Sequence, residues 1–283
     1  MTTPTLPEAR WKAWRPARPA LLAAWTVIAL IVLAAAFPGL FTGRDPLELE
    51  PAVAMRGPSP EHWFGTDQLG RDLFTRVVYG TRPSLLVGLG ALTLALAAGA
   101  LYGLAAALLG RFADVALMRL LDVLLALPQL LVALLALTVL GSGQVNLMIA
   151  IALSLLPAYA RLVRAEALVV RRSGYLESAV LLGQHPLVQA FRHVLPNALG
   201  PLLVLGTVGF GMAVIAASGL SFLGFGAEPP SPEWGVMLSE GRDYLQTAWW
   251  LGVFPGAAIT LTVVAVSVAG RSAQARFTRR TTL

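Results

Sequence analysis

Residues 83–109 read PSLLVGLGALTLALAAGALYGLAAALL, a run of 27 residues without one charged side chain. As an α-helix this run is about 40 Å long, which exceeds the roughly 30 Å of bilayer hydrocarbon. Further apolar segments of near-spanning length occur at Ala20–Phe41, Val115–Leu140, Val145–Ala160, Ala198–Leu223 and Ala248–Ala269. Only the segment Val115–Leu140 contains charges, Arg119 and Asp122, and its Pro128 is expected to kink the helix. The sequence therefore predicts an all-α integral membrane protein with about six transmembrane helices.

The composition agrees with a membrane protein and excludes several kinds of site. Hydrophobic residues make up 57% of the chain and charged residues 13%, whereas about a quarter of a soluble domain is charged. Because the chain has no cysteine, disulfides and thiolate metal sites are excluded. The net charge of +6 comes from arginines that lie between apolar runs rather than on one polar face, so we expect no nucleic-acid partner.

The distribution of the basic residues predicts an orientation. If the amino terminus is cytoplasmic, the cytoplasmic side has 15 of the 21 basic residues and five acidic residues. The outer side then has six basic and ten acidic residues, as the positive-inside rule requires. Six spans place both termini in the cytoplasm.

The first apolar segment also has an alternative interpretation. Basic residues, an apolar run and the triplet Ala34–Ala36 are features of a cleaved signal peptide. The run is longer than a signal core of roughly 7–15 residues, which favours a retained anchor. A mature amino terminus near Phe37 would leave five spans.

The outer loop, residues 42–82, is expected to be irregular in its first half. In Arg71–Tyr79, Leu73 and Phe74 precede Val77 and Val78 by one helical turn. This spacing predicts a short amphipathic helix lying along the outer membrane interface. Trp249 and Trp250 open the last span, where indole rings favour the headgroup level.

The inner loop, residues 161–197, carries signals for two short helices. Ser173 and Gly174 are typical of a helix start. Gly183 favours a left-handed stop, and Pro186 favours the first position of the next helix. Pro196 is expected to break the chain before the fifth span. The pattern predicts a helix–turn–helix, which is either a docking element or an ordinary inter-span loop.

The same loop resembles the Glu-Ala-Ala…Gly…Ile-x-Leu-Pro signature of permease subunits in bacterial binding-protein-dependent ABC importers. Glu177, Ala179, Gly183, Leu195 and Pro196 match it, while Ser178 replaces an alanine and His193 replaces the isoleucine. In that family the loop docks into a groove on the cytoplasmic ATPase. The resemblance implies that these seven residues form the coupling loop.

Two outer stretches resemble elements of the dipeptide, oligopeptide and nickel branch. The first is the GTDxxGRD element, whose matching residues are Gly65, Thr66, Asp67, Gly70, Arg71 and Asp72. The second is SFLGxG…PPxPEWGxML, matched from Ser221 through Glu233 and Trp234 to Leu238. The resemblance covers about residues 20–270 and is closest to the C-type subunit, but the tail after Gly270 lacks the acidic ending of that branch. These residues either frame the outer mouth or contact the substrate-binding protein.

The resemblance implies the type I importer permease fold and an alternating-access mechanism. It divides the chain into a cytoplasmic tail (1–19), a permease domain (20–270) and a second cytoplasmic tail (271–283). Within the permease domain it expects an outer loop 42–82, a coupling loop 161–197 and an outer loop 224–247. The expected location is the cytoplasmic membrane of a bacterium or archaeon. The expected partners are a second homologous permease, two cytoplasmic ATPase subunits, an extracytoplasmic binding protein and membrane lipid.

The residues for ATP hydrolysis are missing from this chain. A Walker A loop needs Gly-Lys-[Ser/Thr], and the only lysine is Lys12 near the amino terminus. We therefore expect no cofactor here and expect ATP and Mg²⁺ to bind the partner ATPase. The three histidines, His62, His185 and His193, lack metal-ligand spacing. The sequence leaves open which solute is carried: a dipeptide, a longer peptide, a nickel chelate or a sugar.

The sequence leaves two roles open for Asp122, and two other kinds of membrane protein have to be compared with an importer. Asp122 is expected either to pair with Arg119, one turn earlier on the same face, or to act at an inner gate.

A secondary transporter needs polar residues near mid-membrane, and five charge-free spans oppose it. An intramembrane enzyme needs a His or Lys beside Ser154, Ser218 or Ser221, and the spans contain neither.

Overall fold

The computed structural model describes residues 18–171, 173–174 and 183–280 of the 283-residue chain. Its regular secondary structure over these residues is helical, apart from one isolated bridge between Thr66 and Asp72. We number the α-helices α1 (Arg18–Ala36), α2 (Leu73–Leu108), α3 (Arg111–Leu125), α4 (Gln129–Leu140), α5 (Gln144–Arg171), α6 (Pro186–Gln189), α7 (Leu195–Phe222), α8 (Trp234–Gly241) and α9 (Trp250–Arg280). Helices α1, α2, α5, α7 and α9 are each long and apolar enough to cross a bilayer.

Helices α2 and α5 pack closely and run in the same direction. A Cβ added at Gly90 would lie 2.6 Å from Met148 Sδ, and one at Gly99 would lie 2.7 Å from Tyr159 Cβ. Further along, a Cβ at Gly103 would lie 2.5 Å from the Ala160 carbonyl oxygen. Only glycine permits so close a backbone approach. Since both helices cross the bundle in the same direction, the chain between them must cross it once in the other direction.

That return crossing is made by α3 and α4 together. The two helices are bent by 98° at the break between Leu125 and Gln129. With 12 residues, α4 is about 18 Å long and too short to cross alone. The third span is therefore broken, which confirms the predicted kink at Pro128 and shows that the bend divides Val115–Leu140 into two helices. Pro128 causes the break, because proline disfavours a helical conformation at Leu127 and offers no backbone N–H.

The remaining crossings alternate. A Cβ at Gly88 would contact Val214, and one at Gly206 would contact Leu96, so α7 runs antiparallel to α2. In turn α9 runs antiparallel to α7, since Gly211 lies against Val263 and Gly270 lies against Thr207. Helix α1 packs on α9 and α2, and after it Thr42 Oγ1 lies 2.9 Å from Thr75 Oγ1 at the start of α2.

These directions define two ends of the bundle. Residues 37–72, 141–143 and 223–249 lie at what we call the long-loop end; there Gly143 N donates to the Phe225 carbonyl oxygen at 3.3 Å. Residues 109–110 and 183–194 lie at the opposite end. Arg18 and the last turns of α9 are also at the opposite end, so both ends of the described chain share one side of the bundle.

Three predicted boundaries are wrong for identifiable physical reasons. Arg71–Tyr79 does not form a separate interfacial helix: α2 begins at Leu73, capped by the Asp72 carboxylate, which accepts from Thr75 N at 2.9 Å. Leu73, Val77 and Val78 are buried, so this part of α2 packs inside the protein and does not lie along an interface. Helix α5 does not end near Pro157; it continues to Arg171 and is about 42 Å long.

The end of α5 is held by polar partners on neighbouring helices. The Arg164 guanidinium donates to Asp114 of α3 at 2.5 and 2.6 Å, and Arg171 donates to the Ala107 carbonyl oxygen of α2. Pro196 does not break the chain either. It is the second residue of α7, and the chain stays helical through it from the π-helical segment Ala190–Val194.

Candidate functional site

The GTDxxGRD residues form a tight turn at the long-loop end. Gly65 and Gly70 have φ of +80° and +78°, and a Cβ at Gly70 would lie 1.9 Å from the Glu50 carbonyl oxygen. Thr66 is fully buried, and its hydroxyl donates to the Val53 carbonyl oxygen at 2.5 Å. The carboxylate of Asp67 accepts from the backbone N–H groups of Leu69 and Arg71, at 2.9 and 3.0 Å. These bonds fix the turn against residues 50–56.

A buried charge cluster joins this turn to α8. The side chains of Arg71 and Arg76 are each 1% exposed. Arg71 Nε donates to Asp67 at 2.5 Å, and Arg71 Nη2 lies 3.2 Å from Glu240 Oε2. Arg76 Nη2 donates to the same Glu240 oxygen at 2.8 Å. Two guanidinium groups thus face two carboxylates away from water, and losing one partner of such a pair costs about 3–5 kcal/mol.

Glu233 and Trp234 attach α8 to α2 and α7. The Glu233 carboxylate caps α8 by accepting from Gly235 N at 3.0 Å and Val236 N at 3.3 Å. Trp234 Nε1 donates to the Val77 carbonyl oxygen at 2.9 Å, and Trp234 N donates to Ser84 Oγ at 3.0 Å. Burial raises the pKa of the Glu233 carboxyl, while the hydrogen bonds from the two backbone N–H groups act to lower it.

The structure therefore brings all eight candidate residues of the outer mouth into one layer beneath the surface. Of these eight, Asp72 is the least buried, and its side chain is only 9% exposed. Side chains this buried have no surface to offer a partner protein, which favours the framing role over direct contact. Sequence reasoning missed Glu240, the acidic partner of both arginines, because no local pattern links positions 164 or more residues apart.

At the opposite end, the described part of the coupling loop is continuous with a spanning helix. Gly183 is exposed with φ of +75°, which confirms the predicted left-handed turn, and a helix begins at Pro186 as predicted. Helix α6 leads directly into a π-helical segment, Ala190–Val194, and then into α7. Glu177, Ser178 and Ala179 lie outside the described residues.

Side-chain bonds hold the turn against this helix. Gln189 Nε2 donates to the Gln184 carbonyl oxygen at 2.7 Å, and His193 Nε2 lies 3.2 Å from Gln184 Oε1. Asn197 Nδ2 donates to the His193 carbonyl oxygen at 2.6 Å. Val194 is buried, Leu195 is half-buried and Pro196 is exposed. The turn, the π-helical segment and α7 thus form one connected element from residue 183 to residue 222.

Asp122 pairs with Arg161 of α5, not with Arg119. Both side chains of the pair are about half exposed, at 47% and 48%. The predicted pair with Arg119 is wrong because Asp122 faces α5, while Arg119 lies on the exposed side of α3 and makes no ion pair with any described residue. The Asp122–Arg161 pair connects α3 to α5 one turn before the break in the third span.

No group of three or more His, Asp or Glu side chains suited to a metal ion occurs in the described ranges 18–171, 173–174 and 183–280. His62 lies between Asp72 and Arg44, with its Nδ1 2.9 Å from Asp72 Oδ1. His193 faces Gln184.

Comparisons with known proteins extend over most of the chain. The family model of binding-protein-dependent transport system inner membrane components matches residues 96–283. A dipeptide transport system permease protein of Alkalihalophilus pseudofirmus is 43% identical over 244 residues, covering 86% of this chain and 80% of that protein. A di/tripeptide permease protein of Pseudomonas aeruginosa is 42% identical, covering 85% and 82% of the two chains. A glutathione transport system permease protein of Escherichia coli is 41% identical, covering 92% and 86%.

The matched region includes the last part of α2, the helices α3 to α9 and the predicted coupling loop, residues 161–197. Together with the all-helical fold, these matches show that the chain belongs to the family of inner membrane components of binding-protein-dependent transport systems, the permease subunits of ABC importers with the type I fold.

Proposed function

We propose that this chain is the permease subunit of an importer that carries di- or oligopeptides across the cytoplasmic membrane by alternating access. The observation that carries the proposal is the helical continuity of residues 186–222. The last part of the family's docking signature, His193, Leu195 and Pro196, lies within this helical stretch, which crosses the bundle as α7. A displacement of the segment by an ATPase is therefore transmitted along a helix rather than lost in a flexible loop.

The partners follow from this mechanism. The chain lacks a nucleotide site, so two ATPase subunits bind ATP and Mg²⁺ and drive the cycle. Each docks on a coupling loop, here formed by Glu177, Ser178, Ala179, Gly183, His193, Leu195 and Pro196. An extracytoplasmic binding protein delivers the solute at the long-loop end, and a second, homologous permease completes the pore.

The orientation and domain boundaries are part of the same proposal. Both ends of the described chain share the side that has most of the arginines, so this side is cytoplasmic and both tails, 1–19 and 271–283, lie there. The long-loop end, with the proposed outer segments 42–82 and 224–247, is then extracytoplasmic; these segments include the first turns of α2 and all of α8. The eight buried residues from Gly65 to Trp234 frame the mouth, and Asp122 acts at the inner gate.

Peptides are the proposed substrate because relatives at 41–43% identity are named for dipeptide, di/tripeptide and glutathione transport. The outer motifs beyond the matched coupling loop also belong to this branch. The spans themselves contain no polar constellation that selects one peptide over another.

The test is uptake by the complete transporter reconstituted in proteoliposomes, with ATPase and binding protein. Glu177→Arg and Gly183→Asp should abolish peptide uptake and the stimulation of ATPase by the loaded binding protein, while the complex still inserts. The matched control is Gly141→Asp, since Gly141 also has a positive φ of +82° and is exposed but lies at the long-loop end. Normal uptake by both coupling-loop variants would overturn the assignment.

A further inference from the structure

Two adjoining cavities lie where α1 meets the bundle at the long-loop end. The larger has a volume of about 430 Å³, within the roughly 300–1,000 Å³ typical of ligand pockets. It lies between α1, α2 and α9, and its walls are apolar: Leu30 and Ala34 come from α1, Val78 from α2, and Phe254 and Leu261 from α9. Leu30 is 51% exposed, so the cavity opens on the outer surface of this chain.

The smaller cavity, of about 210 Å³, is polar. Its walls include Arg44, Glu61 and Asp72. The two cavities share the side chains of Phe41 and Phe74 as a common wall. An apolar chamber therefore adjoins a charged one across these two aromatic side chains.

The junction between the cavities lies at the level of the membrane boundary. Helix α1 ends at Ala36, and the apolar segment gives way to polar residues at Thr42. Around the junction Phe64 stacks on Phe254 with ring centroids 3.9 Å apart, and Trp63 lies 4.9 Å from Phe74. Trp63 is 63% exposed, as expected for an aromatic side chain at the headgroup level.

The charges of the smaller cavity select the kind of headgroup. Arg44 Nη1 lies 3.6 Å from Asp72 Oδ1 and 2.9 Å from His62 Nδ1, yet the Arg44 side chain remains 43% exposed, so its other N–H groups can donate to a phosphate. Glu61 is exposed and makes no ion pair with any described residue. With one guanidinium and two carboxylates, a purely anionic group meets net repulsion. A phosphate joined to an ammonium group is matched by Arg44 and Glu61 respectively.

We propose that these two cavities, which we call the lipid groove, bind one zwitterionic phospholipid from the leaflet at the long-loop end. An acyl chain fills the space between α1, α2 and α9, and the headgroup lies between Arg44 and Glu61. The bound lipid completes the packing of α1, of which only Ala24 and Ala34 are buried in the protein. Hydrocarbon in the larger cavity gains the contacts that an empty apolar space lacks.

The first experiment measures retained lipid by native mass spectrometry on the complete transporter, purified in detergent and supplied with equal amounts of phosphatidylethanolamine and phosphatidylglycerol. We expect one phosphatidylethanolamine per copy of this chain. Ala34→Phe, which fills the larger cavity, should lower its occupancy at least tenfold. Leu33→Phe is the control, because Leu33 is on the same helix, is 39% exposed and does not line the groove. Equal retention by the wild type and Ala34→Phe would overturn the proposal.

The second experiment does not depend on how well a cavity-filling variant folds. Glu61→Lys replaces an exposed carboxylate and leaves two cations facing one carboxylate. The preference should then invert, with phosphatidylglycerol retained in place of phosphatidylethanolamine. Two outcomes would overturn the zwitterionic assignment: an unchanged lipid preference in Glu61→Lys, or equal retention of both lipids by the wild type. Either would show that Arg44 and Glu61 do not distinguish the two headgroups.

Discussion

Arg71 and Glu240, 169 positions apart in the chain, are joined by a hydrogen bond of 3.2 Å between Nη2 and Oε2. Arg76 donates to the same carboxylate oxygen at 2.8 Å. Glu240 is thus the point at which α8 is attached to the turn formed by residues 65–72. Because both guanidinium groups are almost completely buried, the attachment depends on charge balance inside the protein rather than in water.

Glu240→Gln should therefore lower the free energy of unfolding by about 3–5 kcal/mol, because it leaves two buried guanidinium groups with one carboxylate. Thermal unfolding of the purified chain in detergent measures the change. The double variant Glu240→Gln/Arg76→Met should be more stable than Glu240→Gln alone, since it removes one of the stranded cations.

The control for this prediction is the exposed pair Arg242–Asp243, in which both side chains are more than half exposed. Asp243→Asn should change stability by less than about 1 kcal/mol. An equal loss from Asp243→Asn and Glu240→Gln would mean that the burial of the cluster does not determine its contribution.

Gly70→Ala should destabilise the long-loop end through the backbone. A Cβ at Gly70 would lie 1.9 Å from the Glu50 carbonyl oxygen, and its φ of +78° is strained for alanine. We expect a loss of at least about 1–3 kcal/mol. Gly43→Ala, where a Cβ meets nothing within 4 Å, should leave the melting temperature nearly unchanged. Similar melting temperatures for the two variants would contradict the tight turn at residues 65–72.

Glu233 should make stability depend on pH in a definite direction. Burial raises its pKa in the folded state above the ordinary value of 4.5. The folded protein therefore binds this proton more tightly than the unfolded chain does, and the contribution of Glu233 to stability falls as the pH rises from 4.5 through the raised pKa. Glu233→Gln lacks this ionisation. The melting temperature of the variant minus that of the wild type should therefore increase as the pH rises across this window. A constant difference between the two proteins would contradict the raised pKa.

The number and type of the spanning helices were predictable from the sequence, whereas their ends were not. Apolar runs such as residues 83–109 determine which segments enter a bilayer, and those segments are helical in the structure. The ends of the helices depend on tertiary partners. Helix α5 continues past Pro157 because Asp114 and Asp122 of α3 receive its arginines. Similarly, α2 extends back to Leu73, inside the expected outer loop, because its first turns are buried in the protein.

The candidate site residues show the same difference between features set by local sequence and features set by long-range contacts. The turn at Gly183 and the helix start at Pro186 are local signals, and both are present in the structure. The pairing of Asp122 was predicted incorrectly because helical spacing shows which neighbours are available on one helix but not which other helix approaches. Glu240 could not be found for the same reason. Long-range contacts of this kind need the packed bundle or aligned relatives.

Asp122 provides the last prediction, which separates its proposed role at the inner gate from a structural one. Its pair with Arg161 is about half exposed, so Asp122→Asn should change the free energy of unfolding by less than about 1 kcal/mol. The pair joins α3 to α5 one turn before the break in the third span, and in the proposed role a change of angle at this break opens or closes the inner gate. Asp122→Arg should therefore reduce ATP-driven peptide uptake well beyond its effect on melting temperature. The swapped variant Asp122→Arg/Arg161→Asp should recover most of the uptake, because the opposite charges again face each other.

The control is Arg119→Gln, on the exposed side of the same helix, which should leave uptake at the wild-type level. A swapped variant as defective as Asp122→Arg alone would show that attraction between these two residues does not set the gate.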